Sequence, residues 1–264
     1  MDLDLRNKVA LVTGGSRGIG LATAKLFASE GCNVALCGRG LEELNAAGSI
    51  LETTGIGVAT IQADVCDPQE ASMVVEKCVA ELGGIDILVN NVGGSIGGRT
   101  IFEAADEDWR NTFEINLFQG VRMAKLAVPY MRKRGNGAIV NIASISGWSP
   151  QLAGSAQYGT AKAAVIFLTE RLALELIESN IRVNTVSPGS IQRTQGWDGF
   201  KLSNPESFNN YVREGFPMGR LGNPEEVANV VVFLASPRAN WINGRHIPVD
   251  GLEQPTGVEE RRPW

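Results

Sequence analysis

VALVTGGSRGIGLATAKLFASEG, residues 9–31, joins an apolar run to a helical pattern through a turn that holds Gly14, Gly18 and Gly20. The apolar run has the length of a buried strand, and the run after the turn has the periodicity of an amphipathic helix. Glycine lets the backbone approach a ligand closely, and the helix that begins there offers free N–H groups and a positive dipole end to a phosphate. The T-G-x-x-x-G-x-G spacing therefore predicts a pyrophosphate site, with a purely structural turn as the alternative.

Apolar runs of strand length recur along the whole chain, with helical patterns between them. This alternation predicts repeated βαβ units, and the near-continuous Val, Ile and Leu of the runs fits a parallel sheet that is covered on both faces. We predict an α/β fold: a single Rossmann-like domain over residues 1–264, built on a doubly wound parallel sheet of about seven strands with right-handed crossovers. The seven runs are KVALVTG, NVALCG, VATIQADV, IDILVNN, GAIVNIAS, IRVNTVSPG and RHIPVDG.

Two segments do not follow this alternation of strand-length runs and helical patterns. Residues 190–218 are rich in Gln, Asn, Gly, Trp and Phe and are too long for an ordinary connection, so we predict a substrate lid there. Residues 252–264 follow the last apolar run, and we predict a C-terminal tail.

Composition narrows the class of partner. The chain has 264 residues, 44% of them hydrophobic, and a formal net charge of −5. An acidic chain without a basic face argues against nucleic acid and against an anionic membrane surface as partners. No apolar run has the length of a membrane span, and MDLDLRNKVA at the N-terminus lacks the apolar region of a signal peptide, which predicts a cytoplasmic protein. The expected partners are small molecules and further copies of the chain.

The cysteines and the histidine exclude some chemistry. Cys32, Cys37, Cys66 and Cys78 show no C-x-x-C spacing, so we expect reduced, mostly buried thiols and neither a zinc site nor a disulfide framework. His246 is the single histidine, which excludes a multi-histidine metal centre and leaves one candidate for a histidine base. We therefore predict no metal and expect the acid–base chemistry to come from another residue type.

The end of the second apolar run bears on the choice of nucleotide. In a dinucleotide fold an acidic residue at this point binds the adenosine 2′-hydroxyl, whereas a basic one accommodates a 2′-phosphate. Here the run ends in Cys37, Gly38 and Arg39, and Arg17 lies inside the glycine turn. Both arginines are suited to pairing with a phosphate, so the sequence predicts NADP(H) in preference to NAD(H). The alternative is two solvated loop arginines.

Tyr158 and Lys162 lie four positions apart in GSAQYGTAKAAV, residues 154–165. A free phenol titrates near pH 10 and is a poor proton shuttle at neutrality. A lysine one helical turn later projects to the same side, and its positive charge favours the phenolate. The pair therefore predicts a tyrosine general acid–base, although the spacing by itself is only moderately specific.

A series of motifs sets this pair in a wider context: TGGSRGIG, NNVG at 90–93, INLFQG, NIAS, YGTAK and SPG. Their order and spacing resemble those of the short-chain dehydrogenase/reductase family, including its 3-oxoacyl-(acyl carrier protein) reductase branch. The resemblance spans Lys8 to Gly251 and takes in PMGRLGNPEEVANVVVFLAS and INGRHIPVDG near the end. The joint match is highly specific.

The resemblance implies a role for each catalytic residue. Tyr158 is expected to protonate a carbonyl oxygen, or to take the hydroxyl proton in the reverse direction. Ser144 in NIAS is expected to donate a hydrogen bond to the same oxygen. Lys162 is expected to lower the phenol pKa and hold the nicotinamide ribose, and Asn116 in INLFQG to support a water in the proton relay.

The resemblance also implies contacts with cofactor and substrate. Asp64 matches an adenine contact, Pro188 and Gly189 match the turn beside the nicotinamide, and Asn90 matches either an adenosine-ribose contact or a sheet-stabilising position. The expected cofactor contacts are Gly14, Ser16, Arg17, Gly18, Ile19, Gly20, Arg39, Asp64, Val65, Asn91, Gly93, Tyr158, Lys162, Pro188, Gly189 and Ile191. The expected substrate contacts are Ser144, Ser146, Trp148 and Tyr158, in a mainly apolar pocket to which Ile96, Leu152, Trp197 and Phe200 also belong.

The chain departs from the family pattern at two points. Relatives often read P-G-x-I-x-T after the sixth strand, whereas here Arg193 stands at the threonine position and Thr194 follows it, so Arg193 is a candidate for an acidic group on a substrate or a solvated lid arginine. Leu252 replaces the second glycine of the usual VDGG, which bears on the C-terminal packing of the homotetramer that the family predicts.

These observations predict an NADP(H)-dependent oxidoreductase that transfers a hydride between nicotinamide and a ketone or secondary alcohol. One alternative is a 3-oxoacyl-(acyl carrier protein) reductase, for which the run Arg132, Lys133, Arg134 would receive an acidic carrier, unless these cations only complement a helix C-terminus. The other is a dinucleotide-binding regulator without turnover, because a fold does not dictate a function.

Overall fold

A computed structural model describes residues 2–150, 155–193 and 201–253. Its centre is a seven-stranded sheet in the order β3-β2-β1-β4-β5-β6-β7, with every neighbouring pair parallel. The predicted fold class and strand number are therefore confirmed. The strands are β1 (Val9–Thr13), β2 (Asn33–Gly38), β3 (Val58–Gln62), β4 (Ile87–Asn90), β5 (Gly137–Ile142), β6 (Ile181–Pro188) and β7 (His246–Val249).

Helices connect the strands and cover both faces of the sheet. They are α1 (Gly18–Ser29), α2 (Leu41–Glu52), α3 (Pro68–Leu82), α4 (Asp106–Phe113), α5 (Gln119–Arg134), α6 (Ala156–Leu176), α7 (Pro205–Gly215) and α8 (Pro224–Ala235). Glu114–Phe118 form a π-helical turn between α4 and α5.

Two apolar cores lie on opposite faces of the sheet because strand side chains alternate. Ala10 and Val12 of β1 join a core with α1, α2 and α8, whereas Val9 and Leu11 join a core with α3, α5 and α6. All five residues of β1 are buried, which explains the near-continuous apolar run in the sequence. Cys32, Cys37 and Cys78 are buried as free thiols, and Cys66 is partly buried, as the sequence predicted.

Strand order reverses direction between β1 and β4, the two strands at the middle of the sheet. The loops that leave their carboxyl ends diverge there and open a crevice, which is where open α/β sheets bind ligands. The glycine turn follows β1, and residues 91–98 follow β4. The fold therefore places the predicted phosphate turn beside one wall of the predicted substrate pocket.

The segment after β6 contains a helix and a small apolar cluster of its own. Ile191 forms a parallel bridge with Gly222, which closes the segment at its base. Phe208, Val212, Phe216 and Leu221 pack together as a cluster separate from the two cores. Several predictions fall outside the described residues: the pocket roles of Leu152, Trp197 and Phe200, Thr194 itself, and the tail beyond residue 253. No helix in the described part of the chain has the length and apolar character to cross a membrane.

Candidate active site

The glycine turn is shaped as a cradle for a ligand. Gly14 and Gly18 adopt φ angles of +63° and +54°, the left-handed region that favours glycine. A Cβ on Gly20 would lie 2.2 Å from the carbonyl oxygen of Gly14, so a larger residue there would collide with the turn. Helix α1 begins at Gly18 after an extended Arg17, whose side chain makes no capping hydrogen bond to the first turn. The turn, Ser16 and Ile19 included, fits a dinucleotide pyrophosphate.

Asn91 fastens this turn to the end of β4. Its Nδ2 donates to the carbonyl oxygens of Thr13 at 3.0 Å and Gly14 at 3.1 Å, and its backbone N–H donates to the Thr13 hydroxyl at 3.0 Å. A side chain whose amide is used in this way shapes the cofactor turn through the backbone. Asn90 is buried, and its Nδ2 donates to Asn141 Oδ1 of β5 at 2.8 Å. Of its two predicted roles, this bond supports stabilisation of the sheet.

The end of β2 gathers the residues predicted for the adenosine end. Arg39 is 72% exposed, and its guanidinium lies 3.8 Å from the Asp64 carboxylate. A Cβ on Gly38 would lie 3.5 Å from the Ser16 hydroxyl, so the glycine turn borders the same spot. Asp64 Oδ1 also accepts from the Cys66 N–H at 3.0 Å. An exposed arginine with one distant and solvated acid remains available to a phosphate.

Val65 follows Asp64 at this edge of the sheet. Its carbonyl oxygen accepts from an Arg122 N–H at 3.0 Å, and Arg122 is paired in turn with Glu114 at 2.9 Å. The described contacts of Val65 therefore tie the segment after β3 to the π-helical turn and α5.

Ser144, Tyr158 and Lys162 meet at the end of β5. Ser144 lies two residues after the last residue of β5 and caps a short 3-10 turn, accepting from the Ser146 N–H at 3.2 Å. The Ser144 side chain also lowers the pKa of the Tyr158 phenol. Lys162 is buried, its Nζ donates to the Ile142 carbonyl at 2.8 Å, and the same atom lies 5.7 Å from the centre of the Tyr158 ring. The structure therefore brings together three of the four catalytic residues that the resemblance named.

Burial has the largest effect on the pKa of both Tyr158 and Lys162. Burial raises the pKa of the Tyr158 phenol, and the hydrogen bond from Ser144 opposes that rise. Burial lowers the pKa of Lys162 from 10.5 to about 7, because an ammonium group is poorly solvated there. Of the two causes that act on the phenol pKa, the one that lowers it comes from Ser144, and the expectation that a protonated Lys162 also lowers it stays a prediction.

Asn116 occupies the π-helical turn and faces the loop after β4. Its Nδ2 donates to the carbonyl oxygens of Gly94 and Thr112, each at 2.7 Å, and its Oδ1 accepts from the Gly94 N–H at 3.1 Å. A Cβ on Gly93 would lie 2.7 Å from Asn116 Oδ1 and 2.8 Å from Lys162 Nζ, so the two polar groups flank this glycine closely. The π-helical turn, a feature frequent at functional sites, was not predicted because no sequence signal marks it.

The turn after β6 is held from the C-terminal side. The Gly189 N–H donates to the Val249 carbonyl at 3.0 Å, next to Pro188. The Glu253 carboxylate accepts from the Ser190 N–H at 2.6 Å and from the Ser190 hydroxyl at 2.8 Å. Sequence reasoning missed Glu253 because nothing in its neighbourhood indicates which distant backbone it reaches.

Two predicted pocket residues have partners within the protein. The indole of Trp148, which is half exposed, packs edge-on against the His246 ring with 5.9 Å between centroids. The Arg193 guanidinium is paired with Glu225, the second residue of α8. In the described part of the chain, Trp148 thus packs at the edge of the sheet, and Arg193 connects the segment after β6 to α8. The Arg193 carbonyl lies 3.8 Å from where a Cβ on Gly18 would stand, so this segment borders the glycine turn.

Comparison with known proteins agrees with this geometry. The family model described as Enoyl-(Acyl carrier protein) reductase matches residues 14–251. The 3-oxoacyl-(acyl carrier protein) reductase of Chlamydia muridarum is 39% identical over 252 residues, which are 94% of this chain and 97% of the relative.

Solved structures with bound nicotinamide cofactors are also similar to this chain. L-sorbose reductase from Gluconobacter frateurii, complexed with NADPH and L-sorbose, has a TM-score of 0.89 and 40% identity, covering 95% of this chain and 98% of its own. A 7α-hydroxysteroid dehydrogenase complexed with NADH and 7-oxo glycochenodeoxycholic acid has a TM-score of 0.88 and 31% identity, covering 96% and 97%. With the glycine cradle and the Ser144, Tyr158 and Lys162 cluster, these matches establish that the chain belongs to the short-chain dehydrogenase/reductase family, as a hydride-transferring oxidoreductase that uses a nicotinamide cofactor.

Proposed function

We propose that this protein interconverts a ketone and a secondary alcohol, with Tyr158 as the general acid–base. The observation that carries the proposal is the convergence of Ser144, Tyr158 and Lys162 at the end of β5: the buried Lys162 Nζ lies 5.7 Å from the centre of the Tyr158 ring, and Ser144 lowers the pKa of the phenol. In the reducing direction the Tyr158 hydroxyl donates its proton to the carbonyl oxygen. Ser144 donates a hydrogen bond to the same oxygen, where negative charge develops.

The nicotinamide cofactor supplies the hydride when it is bound. The residues that would hold it are those of the glycine cradle, the Asp64–Val65 and Asn91–Gly93 segments, Lys162, and the turn from Pro188 to Ile191. Lys162 supports the reaction by presenting its Nζ between Ile142 and the tyrosine ring, where a protonated form favours the phenolate. Asn116 holds the Gly94 backbone, and its Oδ1 and the Lys162 Nζ both flank Gly93, which supports a water relay at that point.

We further propose that NADP(H) is preferred over NAD(H). The supporting observation is Arg39 at the end of β2: it is exposed, and its pairing with Asp64 at 3.8 Å leaves donors for a 2′-phosphate. No carboxylate stands at position 37, 38 or 39 to repel that phosphate.

Replacement of the proposed acid tests the mechanism. Tyr158→Phe keeps the ring and removes only the hydroxyl, so we expect turnover of any accepted ketone to fall at least roughly 1000-fold. NADPH affinity, measured by fluorescence titration, should stay within about threefold of wild type, since the phenol proton is not needed for phosphate binding. Thr160→Val, on the exposed side of the same helix, is the matched control. Undiminished turnover by Tyr158→Phe would remove Tyr158 from the mechanism.

A 3-oxoacyl thioester is the second candidate substrate, supported by the 39% identity to the Chlamydia muridarum reductase. The run Arg132, Lys133, Arg134, considered above as a docking site for an acidic carrier, is poorly placed for this role. Arg134 is held by the buried Asp86 at 3.0 Å and Lys133 lies over the Tyr130 ring, at the end of α5 that leads into the amino end of β5. Ser144 follows the opposite end of that strand.

A substrate panel separates the candidates. Cofactor oxidation is followed with NADPH and with NADH against aryl ketones, keto sugars, a 3-oxoacyl thioester and an enoyl thioester. Turnover of free ketones alone supports the carbonyl reductase proposal, and turnover of the thioester alone supports the second candidate. Tight NADPH binding without turnover across the panel would favour a dinucleotide-binding regulator instead.

A further inference from the structure

Gln157 directly precedes Tyr158 in α6, and its side chain is completely buried. Its Nε2 donates to the carbonyl oxygens of Ile96 and Gly98, each at 2.7 Å. The two carbonyls use both amide hydrogens, and they fix the orientation of the amide, since the flipped form would place Oε1 against two oxygens. Oε1 itself finds no hydrogen-bond partner within the described residues.

The loop that Gln157 holds has no regular structure of its own. Residues 91–98 follow β4 without forming a strand or helix, so their backbone groups need partners from elsewhere. Asn116 binds Gly94, and the Gly98 N–H makes only a long 3.4 Å contact with Asp108. Ile96 accepts a further weak bond from Thr112 at 3.4 Å. The two short bonds from Gln157 are thus the strongest described polar contacts at the outer half of the loop.

A third contact connects the same loop to the start of α6. The Ala156 N–H donates to the Arg99 carbonyl at 3.0 Å, immediately before Gln157. Consecutive residues of one helix therefore hold three carbonyls of the loop and carry the Tyr158 phenol. Because a helix is rigid over a single turn, the distance from the loop to the phenol is set by these bonds.

We propose that Gln157 is a positioning residue that determines substrate specificity, by fixing the loop 96–99 relative to the Tyr158 hydroxyl. The proposal rests on the proposed role of Tyr158 and on the loop's place as a wall of the substrate pocket. The loop backbone, rather than any one side chain, sets the width of the pocket opposite the reacting oxygen. Loss of the two hydrogen bonds from Gln157 to the Ile96 and Gly98 carbonyls widens the pocket and changes which ketones fit.

Two substitutions of Gln157 test its hydrogen bonds to the loop in different ways. Gln157→Met keeps the length and burial of the side chain but removes both donors. We expect the KM for the best ketone to rise roughly tenfold while kcat stays within about threefold, with the ranking of small against bulky ketones shifted toward bulky ones. Thr160→Val is the control, because its hydroxyl binds only its own helix at Ala156.

Gln157→Glu adds a pH readout that a purely structural role would not produce. An ionised carboxylate opposes the two carbonyls, whereas a protonated one donates to one of them, and burial raises the pKa of such a carboxyl. The ratio of variant KM to wild-type KM should therefore fall as the pH is lowered from about 8.5 to about 6. A ratio independent of pH, with KM unchanged in Gln157→Met, would overturn the proposal.

Hydrogen–deuterium exchange reads the loop without turnover. In both variants, peptides that cover residues 93–99 should exchange at least roughly fivefold faster than in wild type, while β1 and β5 stay protected. Tyr158→Phe distinguishes a failure of the specificity proposal from a failure of the acid–base proposal. If that variant is inactive and the Gln157 variants match wild type in KM and exchange, the specificity proposal is wrong and the acid–base proposal stands. If Tyr158→Phe is active, the acid–base proposal fails whatever the exchange data show.

Discussion

At the scale of the residue, the site illustrates how burial changes the chemistry that a sequence motif predicts. Tyr158 and Lys162 were paired on spacing alone, with the lysine charge expected to lower the phenol pKa. In the structure Lys162 is 2% exposed, and burial holds its pKa at about 7. The same residues are in place, but the charge of the lysine depends on pH in the physiological range.

This burial predicts a pH dependence of stability. Between pH 7 and pH 10.5 the unfolded chain keeps the Lys162 proton that the native protein has lost, so the unfolded state binds more protons and stability rises with pH. The free energy of unfolding of wild type minus that of Lys162→Met should increase by roughly 2 kcal/mol from about pH 7 to about pH 9.

Urea titrations at several pH values measure this difference. Burial raises the pKa of each of the four thiols to about 12, which lowers stability with rising pH in both proteins, so the subtraction cancels their contribution. A difference that stays flat over this range would mean that Lys162 keeps its ordinary pKa.

Arg39 carries the prediction for cofactor choice. Arg39→Ala should raise the KM for NADPH at least roughly tenfold and leave the KM for NADH nearly unchanged, because only NADPH carries the 2′-phosphate. Steady-state kinetics with both cofactors measure the split. Lys133→Ala, which removes a cation at the other edge of the sheet, is the control. Equal effects on the two cofactors would contradict the assignment.

At the scale of the element, the loops at the carboxyl ends of the strands are held by side chains from neighbouring elements. Asn91 of the loop after β4 holds the glycine turn, Asn116 of the π-helical turn holds Gly94, and Glu253 holds the turn after β6. Loops at this edge contain backbone groups without a ladder partner, so polar side chains satisfy them. The geometry of the site therefore depends on two residues of the quoted motifs, Asn91 and Asn116, and on Glu253, which lies outside them.

Glu253 gives the prediction at this scale. Glu253→Met keeps the length of the side chain and removes both carboxylate oxygens, so both bonds to Ser190 are lost. Because the turn from Pro188 to Ser190 is expected beside the nicotinamide, the Kd for NADPH should rise roughly fivefold, with a smaller change in kcat.

Fluorescence titration measures this effect, and Ser190→Ala is the matched control, since it removes only the hydroxyl bond and should weaken binding less. Binding equal to wild type in Glu253→Met would show that the C-terminal segment does not support the cofactor turn.

At the scale of the whole molecule, α6 carries the catalytic pair and also presents an exposed apolar face. Phe167 is 71% exposed and Leu174 is 68% exposed, and their spacing of seven places them on one side of the helix. Ile177 continues the face at the helix end. Exposed apolar patches of this kind mark contacts between proteins, which supports the proposal of a homotetramer. Cytoplasmic residence stays a prediction from composition.

The face predicts the behaviour of the protein in solution. Light scattering of wild type should give about four times 28.2 kDa. Phe167→Glu combined with Leu174→Glu should give a smaller species, because charges would be buried in the contact. Leu202→Glu, at an exposed apolar residue of the lid segment, is the control and should leave the mass unchanged. A monomeric wild type, or an unchanged mass in the double variant, would contradict this interface.

Much of the fold and the centre of the site could be predicted from the sequence, for identifiable reasons. The seven strands were visible because a doubly covered parallel sheet requires continuous apolar runs, and the glycine turn because its φ angles and close contacts admit little else. Ser144, Tyr158 and Lys162 were named from ordered motifs. Gln157, Glu253 and the π-helical turn were not, because their partners are distant in sequence and any polar residue type can fill such positions.

The sequence by itself determined the fold class and the cofactor class, and it named the side chains that are proposed to react. Local periodicity, glycine placement and motif order can all be read from residues that are near one another in the chain. Only the tertiary structure decided the pKa of Lys162, the packing of Trp148 against His246 and the pairing of Arg193 with Glu225. The same is true of the hydrogen bonds from Gln157 to the loop after β4. Each of these depends on burial or on a contact between segments far apart in the chain, and such a contact exists only after the sheet and its helices have assembled.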